Sequence, residues 1–256
     1  MKSVLAIARR EVSAYLTNPM GWIILCGFVI MWGIFFTIML FGYNQAAAEA
    51  VMNPFGADQM NVNDMVVSPL FGNMSVIAML ASPALAMRLI AEDRRNRSIE
   101  LLLTSPVTST QIVLGKFLGA IGFAAVLGAT TLLYAGILMW LGEPDLGVLG
   151  ANYLGFFLIF GTFLAAGLFA SSLTENQVLA LVLAFGFNLV IWIIGWVGSL
   201  LDEGKLKTTI EYISMLEHIE QMSKGVIQTQ DLVYFVTFIG FFLFATVQRV
   251  EALRWR

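Results

Sequence analysis

The sequence predicts an all-α integral membrane protein: a single polytopic domain, 1–256, with six transmembrane helices. Added to these are an amphipathic interfacial helix at the N-terminus, a charged helix on the cytosolic side after the second span, and an amphipathic insert on the outer side before the last. Three observations carry this. Of 256 residues, 59% are hydrophobic and 12% charged, with mean hydropathy +0.83; so little charge cannot cover a soluble domain. Six apolar stretches, near 20–43, 67–91, 111–141, 149–173, 177–201 and 230–249, reach the length of about 20 residues that crosses a bilayer core of about 30 Å. Strand-like alternation is missing, which excludes a barrel with a polar lumen.

Residues 1–18 place Val4, Ala8, Val12 and Tyr15 on one helical face, with Leu5 and Leu16 beside it and Lys2, Arg9, Ser13 and Thr17 elsewhere. That pattern fits a helix lying in the interface plane, and suits a lipid anchor and a partner-touching helix equally well. Asn18–Pro19 then turns the chain into the membrane. The apolar run from Met20 to Tyr43 exceeds the roughly 7–15 residues of a signal h-region. It reads as a retained signal-anchor, although Lys2, Arg9 and Arg10 precede it and Ala46–Ala47–Ala48 follows. The single cysteine, Cys26, lies inside this span and is expected to be a small packing residue.

No Lys or Arg occurs between Arg10 and Arg88. The loop 44–66, irregular in composition around Asn53–Pro54–Phe55–Gly56, is therefore placed outside by the positive-inside rule. Alternating from there, the inner segments 1–19, 88–116, 174–176 and 249–256 hold eleven of the fourteen basic residues. The outer segments hold only Lys205, Lys207 and Lys224, against ten acids. Both termini are expected to be cytosolic, with the chain multi-pass in a bacterial cytoplasmic (inner) membrane. The net charge of −3 hides this asymmetry and gives no sign of nucleic-acid binding.

Pro83 falls within the second span and is expected to bend it, a static kink rather than a hinge, leaving backbone carbonyls free nearby. After Pro106, Thr108-x-x-Gln111 fits a capping box that starts the third span, and Thr174-x-x-Gln177 is expected to do the same for the fifth after a very short turn. Gly115, Gly119 and Gly122 share one face of the third span and are helix-packing candidates, because small residues let membrane helices approach closely. Residues 202–229 interleave Ile210, Ile213, Met215, Leu216 and Ile219 with Glu211, Glu217, His218 and Glu220. They read as one or two short amphipathic helices at the outer surface, His218 being a plain surface residue.

Several chemistries are excluded. There is no Gly-x-x-x-x-Gly-Lys-[Ser/Thr] phosphate loop, so the chain does not hydrolyse nucleotide by that machinery. One His and one Cys, far apart, do not make a metal site. No Gly-x-Ser-x-Gly turn with a buried base suggests a protease. No Asp, Glu, Lys or Arg is expected deep in any span, which counts against a proton-driven secondary transporter. Thr130, Thr131, Thr162 and Asn188 read as interhelical hydrogen-bond partners.

The most informative stretch follows the second span. Arg88 and Ala91–Glu92–Asp93–Arg94–Arg95 make a charge cluster, and Arg97, Ser98–Ile99–Glu100–Leu101–Leu102–Leu103–Thr104–Ser105–Pro106–Val107 continue it into a leucine-rich run. With Gly115–Lys116 at the start of the next helix, this segment resembles the type-2 ABC export permease family. The six-span layout, amphipathic N-terminus and outer insert agree, so the resemblance covers nearly the whole chain. Met222–Ser223–Lys224–Gly225–Val226–Ile227 with Asp231–Leu232–Val233–Tyr234–Phe235 is similar to the branch associated with bacterial gliding motility.

The resemblance implies a non-catalytic permease subunit of an ATP-driven exporter. Residues 92–105 become a coupling helix in the groove of a separate ABC-type ATP-binding subunit, present in two copies. Arg88, Glu92, Asp93, Arg94, Arg95, Arg97, Ser98 and Glu100 supply polar contacts, Ile99, Leu101 and Leu103 the packing, and Thr104, Ser105 and Pro106 the helix end. Asp93 and Arg97, four apart, support such a helix by about 0.2–0.5 kcal/mol. ATP and Mg belong to the partner, and this chain carries no cofactor. A second copy of the chain or a related permease completes the membrane part, and an extracytoplasmic accessory protein is a further admissible partner. The alternatives are an ABC-coupled scaffold or mechanotransmitter without translocated substrate, and an independent secondary transporter.

Overall fold

Every regular element among the described residues is helical, as the long apolar runs predict. The computed structural model describes residues 2–52, 61–98, 107–142, 144–201 and 204–254. In chain order these form α1 (Lys2–Thr17), α2 (Pro19–Met52), a π-helical turn (Asn63–Val67) leading into α3 (Ser68–Ala86), and the short α4 (Ala91–Arg95). Then come α5 (Ser109–Leu141), α6 (Leu146–Leu173), α7 (Gln177–Ser199), α8 (Lys205–Ile213), α9 (Met215–Ser223) and α10 (Thr229–Leu253). Six of the segments are long and apolar enough to cross a membrane.

Starts and stops follow local chemistry. Asn18 Oδ1 accepts the Met20 amide at 2.9 Å, and Pro19 opens α2, where a missing N–H costs nothing. Thr108 and Gln111 form the expected capping box on α5. Asp145 caps α6, its carboxylate accepting the Gly147 amide at 2.7 Å.

α6 is the central helix. Its residues from Ile159 to Leu168 are all buried, as befits a helix apolar on every side. α3 packs against it closely: a Cβ on Gly167 would stand 2.5 Å from the Cβ of Ala86. Phe28 and Trp32 of α2 join Phe71 of α3 and Phe156 of α6 in one aromatic cluster, with Trp32 edge-on to both Phe71 and Phe156. Asn188 of α7 donates to the Ser82 hydroxyl of α3 at 2.9 Å, an interhelical bond of the expected kind. Ile23, Ile30, Ile34, Ile38 and Phe41 face outward along α2, as do Val233, Val236, Phe241 and Phe244 along α10; such faces belong against lipid tails.

The structure corrects several expectations. α2 continues to Met52 rather than stopping near residue 43, because Gln45 to Met52 is a run of good helix formers. Cys26 is exposed on the outer side of α2 and packs no core. Asn176, not Thr174, caps α7: its side chain accepts the Val178 and Leu179 amides at 2.9 and 3.3 Å, while Thr174 Oγ1 accepts the Asn176 amide at 3.1 Å. On α1, Ile7 and Tyr15 are buried while Leu5 and Leu16 stay exposed, since the helix packs on α5 instead of lying on lipid alone.

Pro83 lies inside α3, as expected, three residues before that helix ends at Ala86. Its missing N–H leaves the Met79 carbonyl without its usual donor; the Ser82 hydroxyl reaches that oxygen at 3.4 Å. A coupling helix running from 92 to 105 is not what the described part shows. α4 ends at Arg95, Asn96 closes it through the Glu92 and Arg94 carbonyls, and Arg97 has φ of +55°, a left-handed conformation that no α-helix continues through. Ile99, Glu100, Leu101, Leu103, Thr104, Ser105 and Pro106 lie outside the described residues.

Candidate functional site

The second span breaks at residues 87–90, and one side chain from the central helix holds the break. Ser171 Oγ of α6 accepts the amides of Ile90 and Ala91 at 3.1 and 3.0 Å and donates to the Met87 carbonyl at 3.0 Å. It thereby satisfies the backbone groups freed where α3 stops and α4 starts. Leu89, Ile90 and Ala91 are buried there, where orphaned amides carry the full desolvation cost. α4 therefore sits at a fixed height against α6, at the end of the molecule where most of the basic residues gather.

On one side of α4 is an ion network built around one buried lysine. Lys116, inside α5 and almost wholly buried, contacts Asp93 at 2.5 Å and Glu11 of α1 at 2.9 Å. Arg10 reaches Glu11 at 2.8 Å and Asp93 at 3.7 Å. A buried cation needs this pairing, because its desolvation is otherwise uncompensated. Glycine makes the approach possible. A Cβ on Gly115 would stand 2.7 Å from the Cβ of Ile7, one on Gly119 2.5 Å from the Cβ of Glu11, and one on Gly122 2.9 Å from Val12. The three packing candidates thus share a face, and that face receives α1.

Arg88 and Glu92 pair at 2.8 Å, and the Tyr15 hydroxyl donates to the Leu85 carbonyl at 2.8 Å; burial pushes that hydroxyl's pKa up. Together these residues line a cavity of about 290 Å³ with three cations and three carboxylates: Arg10, Arg88 and Lys116 against Glu11, Glu92 and Asp93.

On the other side, Arg94 spans to the turn between α6 and α7. Its guanidinium donates to Glu175 at 2.7 Å and to the Ser172 carbonyl at 3.1 Å. Arg95 and Arg97 are exposed, and Ser98 donates to the Asp93 carboxylate at 2.9 Å. The expected Asp93–Arg97 pair does not form, since Arg97 lies beyond the end of α4 and Asp93 is committed to Lys116. Of the residues assigned to docking, Arg88, Glu92, Asp93 and Arg94 are thus engaged within the chain, and Arg95 and Arg97 face outward.

Sequence reasoning missed Ser171, Glu11, Lys116 and Glu175. Glu11 left a signal, a lone acid between Ala8 and Val12 on the apolar stripe of α1. It also missed a pair at the opposite end. His218 is buried: its Nδ1 lies 2.7 Å from Asp231 and its Nε2 3.1 Å from the Tyr212 carbonyl, and it stacks on Tyr234 with centroids 4.2 Å apart. It ties α8 and α9 to α10 and is no plain surface residue. Lys116 and Asp231 both lie within spanning helices, which qualifies the expectation of spans free of ionisable groups; each sits toward a helix end and is paired.

The sequence profile of the family described as ABC-2 family transporter protein matches residues 5–249. No curated protein matches the chain.

Proposed function

Because this chain belongs to the ABC-2 family of transporter proteins, whose members are membrane components of ABC transporters, we propose that it is the permease subunit of an ATP-driven exporter coupled to a separate ATP-binding subunit through α4 and the segment to residue 105. ATP and Mg²⁺ are bound by that partner in two copies. A second copy of this chain or a related permease completes the membrane part, in a bacterial cytoplasmic membrane with both termini inside. The segment 222–235 supports the gliding-motility-associated branch.

The observation that carries this reading is the two-sided attachment of α4. A push on its exposed end, marked by Arg95 and Arg97, has two routes into the membrane. Asp93 passes it through Lys116 and Glu11 to α5 and α1. Arg94 passes it through Glu175 and Ser172 to α6 and α7. Ser171 holds the junction itself to the central helix. Adjacent residues on one short helix thus reach the cytosolic ends of four others, which is what an element that transmits force requires. Packed cores respond to such a push by switching between discrete arrangements rather than by deforming smoothly.

The test is ATP hydrolysis by the purified, reconstituted complex. The double reversal Arg95→Glu/Arg97→Glu is expected to remove substrate-stimulated or permease-stimulated turnover while insertion and folding persist, since both side chains are exposed and pair with none of the described residues. Full stimulation in that variant contradicts the coupling assignment.

A further inference from the structure

At the end of the molecule opposite α4, the chain's single histidine ties the insert before the last span to that span. His218 is buried on α9, and both of its ring nitrogens face acceptors. Nδ1 lies 2.7 Å from a carboxylate oxygen of Asp231, at the start of α10, and Nε2 3.1 Å from the Tyr212 carbonyl, in the last turn of α8. A neutral imidazole carries one N–H and one lone pair. Either tautomer therefore sets a lone pair against an acceptor, whereas an imidazolium donates to both. The groups around the ring suit that charge. Glu211 of α8 and Glu217 of α9 line the adjoining cleft of about 240 Å³ with Asp231, and among the described residues no lysine or arginine does. Lys207 of α8 is turned to Glu211, at 3.8 Å. Tyr234 of α10 stacks on the ring and donates to the Ile213 carbonyl at 2.7 Å. α3 and α7, also packed on α9, have no ionisable residue, and Tyr153, the only one on α6, bonds to Thr131.

We propose that His218 and Asp231 form a proton-binding site that latches the insert, α8 with α9, to α10. With the proton bound, the ring cation bridges the Asp231 carboxylate and the carbonyl end of α8, the end at which a helix favours positive charge. When the proton leaves, the neutral ring keeps Nδ1–H on the carboxylate, and the Nε2 lone pair turns the hydrogen bond to α8 into a repulsion. α8 has few other anchors. None of its nine residues is buried, and its other ties include the Tyr234 bond to Ile213 and the approach of Ile210 to Gly198. α9, by contrast, keeps Met215 and Met222 in the core, so α8 is the part released. Low pH closes the latch and rising pH opens it, within the range of about pH 5 to 8 where imidazole changes charge. In the orientation proposed above the sensed pH is that of the outer side. The latch itself stands on the geometry and not on the permease reading.

The test uses the full chain purified in detergent, with its one histidine isotopically labelled at the ring nitrogens. Nitrogen NMR shifts read the charge of the ring. Hydrogen exchange of a peptide covering 205–216, corrected for the intrinsic pH dependence of exchange, reads α8. Between about pH 5.5 and about pH 8.5 the ring is expected to pass from imidazolium to neutral. In the same interval protection of α8 should fall about tenfold, the loss expected for one hydrogen bond to a charged group. His218→Gln, which keeps a hydrogen-bonding side chain but binds no proton, should abolish the pH response. A ring that holds one charge state across the range overturns the proton site. A ring that titrates while protection of α8 stays flat overturns the latch. A pH response that persists in folded His218→Gln belongs to another group and overturns the proposal as well.

Discussion

Ser171 offers the sharpest perturbation of the α3–α4 junction. Ser171→Ala deletes one oxygen and three hydrogen bonds, leaving the amides of Ile90 and Ala91 and the Met87 carbonyl without that partner. A buried amide left unsatisfied costs about 1–3 kcal/mol, so two amount to about 2–6. Hydrogen bonds measured in membrane proteins are weaker, about 0.6 kcal/mol each and at most about 1.7, so three amount to about 2–5. The ranges meet at a few kcal/mol, confined to the junction. At the lower end, about 2 kcal/mol, opening becomes about 30-fold more frequent.

Hydrogen exchange of a peptide covering 84–96, followed by mass spectrometry on the detergent-solubilised protein, reads this directly. Exchange at Ile90 and Ala91 should accelerate by about that factor, with α6 itself unaffected. Ser75→Ala is the control, because Ser75 donates only to the Phe71 carbonyl of its own helix. Unchanged protection of Ile90 and Ala91 in a folded Ser171→Ala protein refutes the clamp.

Other consequences follow from the same geometry. Lys116→Met leaves the half-buried Glu11 and Asp93 with only the exposed Arg10 as a cation and should lower stability, by less than the roughly 3–5 kcal/mol of a fully buried pair that loses one partner, visible as a depressed Tm in detergent; an unchanged Tm contradicts the ion network. Gly119→Val drives a side chain into Glu11 and should cost about 1–3 kcal/mol by overpacking, read as faster proteolysis of α1, whereas Gly186→Ala, with open space around it, should leave the pattern unchanged. At the other end, Gly225 has φ of +83°, and a Cβ on it would stand 2.8 Å from Val148 Cγ2. Gly225→Ala should therefore cost at least the roughly 1–2 kcal/mol of a left-handed L-residue, and equal thermal stability would show that the turn before α10 relaxes freely.

Much of the fold was legible because membrane spans announce themselves locally. Apolar run length gave the six spans, and Thr108-x-x-Gln111 marked the start of α5. The amphipathic periodicity of 202–229 resolved into α8 and α9. The site was less legible because its bonds join residues far apart in the chain. Lys116 meets Glu11 across 105 positions and Arg94 meets Glu175 across 81, distances over which no periodicity carries information. Ser171 looks like any small residue on an apolar helix until the broken span is laid beside it. The Gly115-x-x-x-Gly119 face was readable as a packing surface, but its occupant, the chain's own α1, was not.

The most direct test of the coupling assignment is co-purification of the tagged full chain from membranes in mild detergent, with mass spectrometry of what remains bound. Stoichiometric retention of an ABC-type ATP-binding subunit, lost in the Arg95→Glu/Arg97→Glu variant while the chain itself stays folded, is the predicted result. A stable, monodisperse chain with no ATP-binding subunit, under conditions that preserve other membrane complexes from the same preparation, would contradict it and return α4 to the role of a well-braced surface turn.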